Sequence, residues 1–234
     1  MFRFVTKKEY WDIEDSGIMK EIPGNACWHL KDIQDAVAYD NLRDCQYKYI
    51  AEVGGGGSRI LPVLAKKNYC FNIDKFEGHN NGPVGIPTSM QDIKVIDCYL
   101  GSTKDCIEDT FFDVVFSISV VEHIFEADLP GFFADNARIM KSGALSLHLI
   151  DIPCGDSEPT EWNLKINSII KAEFFKHFTP LSTEIIAPED FHFSCAYATN
   201  PDNVMNQWNK LDPSARKLFE TSQICTLFIA GTKN

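Results

Sequence analysis

The stretch Ile50-Ala-Glu-Val-Gly-Gly-Gly-Gly-Ser-Arg59 decides the fold of this 234-residue chain. The apolar residues over 47–53 predict a strand, and the spacing of apolar residues over 59–67 predicts a helix with Pro62 in its first turn. Glycines between a strand and a helix let the backbone approach a ligand closely, and a helix N-terminus favours an anionic group. A flexible Gly-Ser linker is the alternative, but a linker would not lie between a buried strand and an amphipathic helix.

Strands and helices alternate along the rest of the chain. The sequence predicts strands over 69–74, 94–99, 112–119 and 144–151, and helices over 30–42, 129–140 and 164–178. Two further strands over 191–197 and 225–231 flank a helix over 204–211. This alternation predicts an α/β fold with a parallel sheet covered by helices on both faces.

The predicted elements divide the chain into two parts. Residues 1–47 are expected to form an N-terminal cap or lid segment, and residues 48–234 a single ligand-binding domain. Residues 154–190 follow the strand over 144–151 as an insertion on the substrate side.

Charge and composition narrow the class of ligand. The net charge is −11, and the chain has no stripe of Lys and Arg beyond isolated pairs such as Lys7-Lys8 and Lys66-Lys67, so nucleic acids and anionic membrane surfaces are disfavoured. No apolar stretch reaches the roughly 20 residues of a membrane span, and the first ten residues do not resemble a signal peptide. The eight cysteines form no C-x-x-C pair. We expect a cytoplasmic protein that acts on a small molecule.

Two acidic residues accompany the glycine turn. Glu52 lies two residues before Gly54, and Asp74 ends the next predicted strand, where a carboxylate can hold both hydroxyls of a ribose. A nicotinamide dinucleotide fold would require G-x-G-x-x-G, but Arg59 occupies the third glycine position. Asp74 alone does not choose between nucleoside cofactors, and capping of a turn is its structural alternative.

Several motifs in order resemble one family. Glu52-x-Gly54-x-Gly56 resembles the glycine-rich motif of class I S-adenosylmethionine-dependent methyltransferases, although Ser58 stands where that motif commonly has glycine. Phe112-Asp-Val-Val followed by Glu122-His123 is similar to their F-D-x-V and L-E-H segment, and Lys141-Ser-Gly resembles their L-K-P-G-G turn. The resemblance covers about residues 47–151 and implies a doubly wound, mostly parallel sheet of seven strands with an antiparallel final strand.

The resemblance also implies which residues bind S-adenosylmethionine. Glu52 would help to hold the methionine end, Asp74 the ribose, and Asp97 the adenine amino group, while the Cys98 amide would meet an adenine ring nitrogen. The full set of expected cofactor contacts is Glu52, Gly54, Gly56, Asp74, Asp97, Cys98 and Ser117.

Methyl transfer is an in-line displacement, which depends chiefly on positioning and is helped by a base that deprotonates the nucleophile. His123 follows the strand over 112–119 at the edge where open α/β sheets bind ligands, so it is the candidate base for an oxygen nucleophile, with nitrogen or carbon as alternatives. Alternatively, Ser119 and Glu122 form a capping box, and His123 only packs or positions substrate.

Acceptor contacts are expected from outside the cofactor core. The candidates are Tyr10, Trp11, Trp28, His79 and Trp162, and the alternative for the aromatic residues is that they only cover the sheet. Asp151 and Asp156 form no tight acidic cluster, so no metal is predicted. A dehydrogenase and a non-catalytic, cofactor-binding regulatory subunit are the rival functions, and the sequence does not set the oligomeric state.

Overall fold

The computed structural model of the chain describes residues 1–24, 30–78, 83–87, 90, 93–101, 106–155, 161–185 and 222–234. The strands are β1 (Phe2–Phe4), β2 (Tyr49–Val53), β3 (Tyr69–Ile73), β4 (Lys94–Ile96), β5 (Phe112–Ile118), β6 (Met140–Gly155), β7 (Phe178–Pro180) and β8 (Ser222–Lys233). The α-helices are α1 (Lys7–Ser16), α2 (Leu30–Leu42), α3 (Leu61–Leu64), α4 (Leu129–Ile139) and α5 (Glu161–His177). Short 3-10 helices cover Ile18–Glu21 and Val121–His123.

The strands form one sheet in the order β1-β8-β6-β5-β2-β3-β4. Strands β2, β3, β4, β5 and β6 pair with one another in parallel, and β8 runs antiparallel to β6. The expected mostly parallel sheet with an antiparallel final strand is therefore confirmed. Among the described residues the sheet has eight strands, of which β1 and β7 were not predicted, and both pair with β8 along different stretches of it. The predicted strand over 191–197 and helix over 204–211 lie outside the described residues.

The N-terminal segment contributes to the sheet and to the core. Strand β1 pairs with β8 through Phe2 opposite Ile229 and Phe4 opposite Leu227. Helix α2 has the predicted bounds, and most of its residues are buried. A division into a cap over 1–47 and a domain over 48–234 stays a prediction, but the cap segment supplies an edge strand as well as a cover.

Each face of the sheet carries its own apolar cluster. One cluster is rich in phenylalanine and includes Phe133 of α4 and Phe174 of α5. The other is mainly aliphatic and includes Val37 of α2 and Leu61 of α3. Neighbouring strand residues alternate between them, as Val114 and Val115 of β5 do, because successive side chains of a strand point to opposite faces. Helices therefore cover both faces, as the sequence predicts.

The helix after the glycine turn is much shorter than expected. The sequence predicts it over 59–67, whereas α3 covers only Leu61–Leu64. The amide of Leu61 is capped by Ser58 Oγ at 3.1 Å, and the amides of Lys66 and Lys67 continue with bonds to carbonyls three residues back. A single helical turn carries little of the dipole that a long helix offers to an anion.

Candidate functional site

The glycine turn follows β2 at the carboxyl edge of the sheet. Gly54 and Gly56 have φ values of +64° and +50°, in the left-handed region that glycine adopts without strain. The Gly54 amide donates to the Ile73 carbonyl at 2.8 Å. A Cβ on Gly54 would lie 2.6 Å from Cγ2 of Val120, so the turn is packed closely against the segment that follows β5.

Asp74 holds this turn through its carboxylate. Oδ2 accepts a hydrogen bond from the Gly56 amide at 2.9 Å, and Oδ1 accepts one from the Phe76 amide at 2.7 Å. A carboxylate has about four acceptor positions, so two remain for a ligand. Asp74 thus performs the turn-capping function considered above, and its geometry also leaves room for the predicted ribose contact.

Glu52 and Asn72 are direct neighbours on the paired strands β2 and β3. Both are buried, and Asn72 donates from Nδ2 to the Gly56 carbonyl at 3.0 Å. Glu52 Oε2 and Asn72 Oδ1 have no hydrogen-bond partner among the described residues. Burial is the main cause that raises the pKa of Glu52 to about 8, and a hydrogen bond with Ser58 opposes this shift. Asn72 escaped the sequence analysis, although its place two residues before Asp74 puts it on the same side of β3.

The predicted adenine contacts lie after β4. Asp97 is exposed, with 73% of its side chain accessible, and pairs with Lys75 at 3.4 Å. Cys98 is buried, and its amide donates to the Ile96 carbonyl at 3.0 Å. Asp97 is therefore accessible to a ligand, whereas the predicted bond from the Cys98 amide requires this turn to open.

Ser117 does not lie where the sequence analysis placed it. It is fully buried within β5, and its hydroxyl lies 2.7 Å from Nδ1 of His148 on β6. His148 Nε2 in turn contacts Asn136 at 2.9 Å, and burial lowers the pKa of His148 to about 3. The Ser117 side chain belongs to a polar network inside the core and not to a cofactor site.

The segment after β5 is not a capping box. Ser119 has a φ of +50°, and its hydroxyl lies 2.8 Å from Gln34 Oε1 and 3.1 Å from Asp151 Oδ1. The following 3-10 helix begins after Val120 without a side-chain cap. Neither carboxyl oxygen of Glu122 has a hydrogen-bond partner among the described residues, so the structural alternative that the sequence offered for Glu122 is wrong.

His123 ends this 3-10 helix and is exposed. Its amide donates to the Val120 carbonyl at 2.9 Å, which fixes the backbone beside the glycine turn. Partial desolvation lowers the pKa of His123, while the Asp151 carboxylate opposes the shift. An imidazole that is neutral near pH 7 is in the protonation state that a base requires.

The residues predicted to contact the acceptor differ in burial, and some lie outside the described residues. Tyr10 is buried in the aliphatic cluster, so the structure places it in the core and not in a pocket wall. Trp11 is 53% exposed and packs edge-on against Tyr10, with ring centroids 5.0 Å apart. Trp28 and His79 lie outside the described residues, as does the side chain of Trp162, which belongs to α5.

Two described cavities lie away from this edge. One, of about 430 Å³, is lined by residues of α1 with Asp40 and Arg43, and the other, of about 410 Å³, by residues around α3 and the end of α2. Neither cavity is lined by a predicted site residue. The candidate ligand site is therefore the carboxyl edge of the sheet, where open α/β sheets bind ligands. Within the described part of the chain, no group of three or more His, Cys, Asp or Glu side chains could hold a metal ion. No helix of that part is long and apolar enough to cross a membrane.

Solved structures share this architecture. The geranyl diphosphate C-methyltransferase of Streptomyces coelicolor A3(2), with S-adenosyl-L-homocysteine bound, matches with a TM-score of 0.56 at 13% identity, over 88% of this chain and 80% of that one. A putative sarcosine dimethylglycine methyltransferase of Galdieria sulphuraria matches with a TM-score of 0.53 at 13% identity, over 85% of both chains. The [4+2]-cyclase SpnF matches with a TM-score of 0.57 at 10% identity, over 87% of this chain and 82% of that one.

No family model and no curated protein matches the sequence. At identities this low, the structural likeness establishes the fold alone. The chain has the class I, Rossmann-like fold of S-adenosylmethionine-dependent methyltransferases. Because a cyclase shares that fold, the activity has to be argued from the site itself.

Proposed function

We propose that the protein is an S-adenosylmethionine-dependent methyltransferase that acts on a small molecule. The observation that carries this proposal is Glu52, a buried carboxyl beside the glycine turn whose Oε2 has no hydrogen-bond partner among the described residues. A buried polar atom without a partner is costly, so its presence points to a ligand group. The motif resemblance assigns the methionine end of the cofactor to this place.

An ammonium group would satisfy Glu52. The methionine end of S-adenosylmethionine carries one, and a charge-assisted hydrogen bond to a carboxylate is about twice as strong as a neutral one. Binding of the ammonium would also lower the raised pKa of Glu52, because a nearby positive charge favours the ionised carboxyl. Asp74, one strand further, would then accept from the ribose hydroxyls.

A dinucleotide fits the same edge poorly. Its pyrophosphate needs a helix N-terminus or a free cation at the glycine turn. Helix α3 has only four residues, and the guanidinium of Arg59 is already paired with Asp32 at 2.5 Å and Asp35 at 2.6 Å. The buried carboxyl of Glu52 ionises only with a counter-charge beside it, and a pyrophosphate cannot supply one. This electrostatic arrangement favours a cofactor with a cationic end.

For the reaction, we propose that an acceptor oxygen attacks the methyl group and that His123 removes its proton. His123 has the accessibility and the lowered pKa for that task. The enzyme would otherwise act by holding acceptor and sulfonium in line, which supplies most of the acceleration in a displacement of this kind.

The activity is tested by incubating the purified protein with methyl-labelled S-adenosylmethionine and a small-molecule extract. We expect label in a low-molecular-weight product, and at least a tenfold loss of labelling with Glu52→Gln. Glu126→Gln is the matched control, because Glu126 is exposed and pairs with Lys165 at 2.8 Å. Binding of S-adenosylhomocysteine without any labelled product across varied extracts would instead support a non-catalytic, cofactor-binding protein.

A further inference from the structure

Glu122 is a buried carboxyl that no side chain of the described residues binds. Each of its oxygens exposes less than 1 Å² and lacks a hydrogen-bond partner among the described residues. Its pKa is raised well above the ordinary value, chiefly by burial and next by the charge of Asp151, while the amides of Glu122 and Asp151 offset this in part. Native proteins rarely bury a carboxyl in this state unless a ligand completes its surroundings.

The side-chain hydrogen bonds near Glu122 serve other groups. Asp151 Oδ1 accepts from Gln34 Nε2 at 2.5 Å and lies within reach of the Ser119 hydroxyl at 3.1 Å. Lys31 approaches from α2 and its charge lowers the pKa of Glu122, but its ammonium donates to the Ile118 carbonyl at 3.1 Å. These hydrogen bonds go to Asp151 and to the backbone, and the charge of Asp151 acts against ionisation of Glu122.

This carboxyl pair lies beside the proposed cofactor site. Val120, two residues before Glu122, packs against the glycine turn at Gly54. Asp151 lies on β6, the parallel neighbour of β5 at the same edge. A group bound between Glu122 and Asp151 would thus lie next to the cofactor and close to the backbone of His123.

We propose that Glu122 and Asp151 form a subsite for the protonated amine of the methyl acceptor, which makes the acceptor a small organic cation. Two adjacent carboxyls cannot both ionise without a counter-charge, and an ammonium supplies that charge together with donors for the empty oxygens. A hydroxyl would supply a donor without the charge, and an anion would be repelled. This inference rests on the proposed function, which places cofactor and acceptor at this edge.

The subsite is tested with benzylamine and benzyl alcohol, which have similar shapes and differ in charge. Binding of each to the full-length protein is measured by ligand-observed NMR at pH 7 with S-adenosylhomocysteine present. We expect benzylamine to bind at least tenfold more tightly than the alcohol. Glu122→Gln and Asp151→Asn should each remove most of this preference, while Glu126→Gln, the exposed matched control, should retain it.

Each outcome of this experiment is decisive. Equal binding of amine and alcohol, or an amine preference that survives both Glu122→Gln and Asp151→Asn, overturns the subsite. Displacement of benzylamine by millimolar Mg²⁺ also overturns it, because the pair would then be a metal site. Failure of S-adenosylhomocysteine to bind the parent protein overturns the proposed function instead, whereas normal binding of it without amine preference overturns only this inference.

Discussion

The amide of Gly56 donates a 2.9 Å hydrogen bond to Oδ2 of Asp74, which ties the glycine turn after β2 to the end of β3. The other carboxylate oxygen accepts from the Phe76 amide at 2.7 Å, so one side chain orders the backbone on both sides of the proposed ribose position. Asp74 therefore links the shape of the turn to cofactor binding.

The first prediction concerns this link. Asp74→Ala should weaken binding of S-adenosylhomocysteine by about 1.5–3 kcal/mol, since hydrogen bonds to a charged group are lost. It should also lower the free energy of unfolding by about 1–2 kcal/mol, because two backbone amides lose their acceptor. Calorimetric titration and urea unfolding measure the two effects. Unchanged affinity with reduced stability would make Asp74 a turn cap only.

The second prediction follows from the raised pKa of Glu52. Because the folded-state pKa of about 8 lies above the ordinary 4.5, the folded protein holds this proton more tightly than the unfolded chain between those values. The contribution of Glu52 to stability is full at low pH and is lost as the pH rises through this window. Glu52→Gln should therefore stabilise the ligand-free protein relative to the parent by on the order of 2–4 kcal/mol at about pH 8, and by little at about pH 4.5.

Urea unfolding of parent and Glu52→Gln across this pH range gives the difference directly. Glu126→Gln serves as the control, since an exposed, paired glutamate should give a difference that is small at every pH. The same Glu52→Gln variant should bind S-adenosylhomocysteine more weakly. A variant that is less stable than the parent at pH 8 would show that ionised Glu52 is stabilised in the ligand-free fold by more than its hydrogen bond with Ser58.

The third prediction concerns the packing of the glycine turn. Gly54→Ala should lower stability by about 2–4 kcal/mol, because a Cβ there combines a left-handed φ of +64° with a 2.6 Å contact to Val120. Gly24→Ala isolates the backbone effect, since Gly24 has a φ of +71° and open space around its Cβ position, and it should cost about 1 kcal/mol. Adding Val120→Ala to Gly54→Ala should recover part of the loss. No recovery in thermal unfolding would show that the contact with Val120 is unimportant.

The fourth prediction separates the possible tasks of His123. If His123 removes the acceptor proton, His123→Ala should lower the rate by about 10²–10⁴-fold with unchanged cofactor affinity. The pH–rate profile should also lose an ionisation below the ordinary histidine range, because partial desolvation lowers this pKa. A raised Michaelis constant with an unchanged pH profile would indicate a positioning residue, and normal turnover would contradict the proposed base.

The sequence predicted the sheet well because the signals were local. Apolar runs along the chain predicted β2, β3, β5 and β6, and helical spacing predicted α2 with its observed bounds. Pairing across the fold was harder to foresee. Phe2–Phe4 is too short to identify as a strand, and it becomes one only because β8 lies beside it at the sheet edge.

Part of the site was also predicted, because the residues that form it lie in local strand-end patterns. Glu52, Gly54, Gly56 and Asp74 meet because the carboxyl ends of neighbouring parallel strands share one edge. Ser117 was also expected at that edge, but its hydroxyl is held in the core by His148 of the adjacent strand. Glu122 fitted a capping pattern, and only the tertiary structure reveals that its carboxyl is buried without a side-chain partner, where the charge of Asp151 helps to raise its pKa.

Calorimetric titration of the parent protein with S-adenosylhomocysteine, and separately with NAD, distinguishes the two cofactor classes. If the ammonium of the cofactor meets Glu52 Oε2, which has no partner among the described residues, S-adenosylhomocysteine should bind at micromolar affinity or tighter, Glu52→Gln should lose at least tenfold, and NAD should show no measurable binding. Tighter binding of NAD, or an affinity for S-adenosylhomocysteine that does not change with Glu52→Gln, would contradict the account.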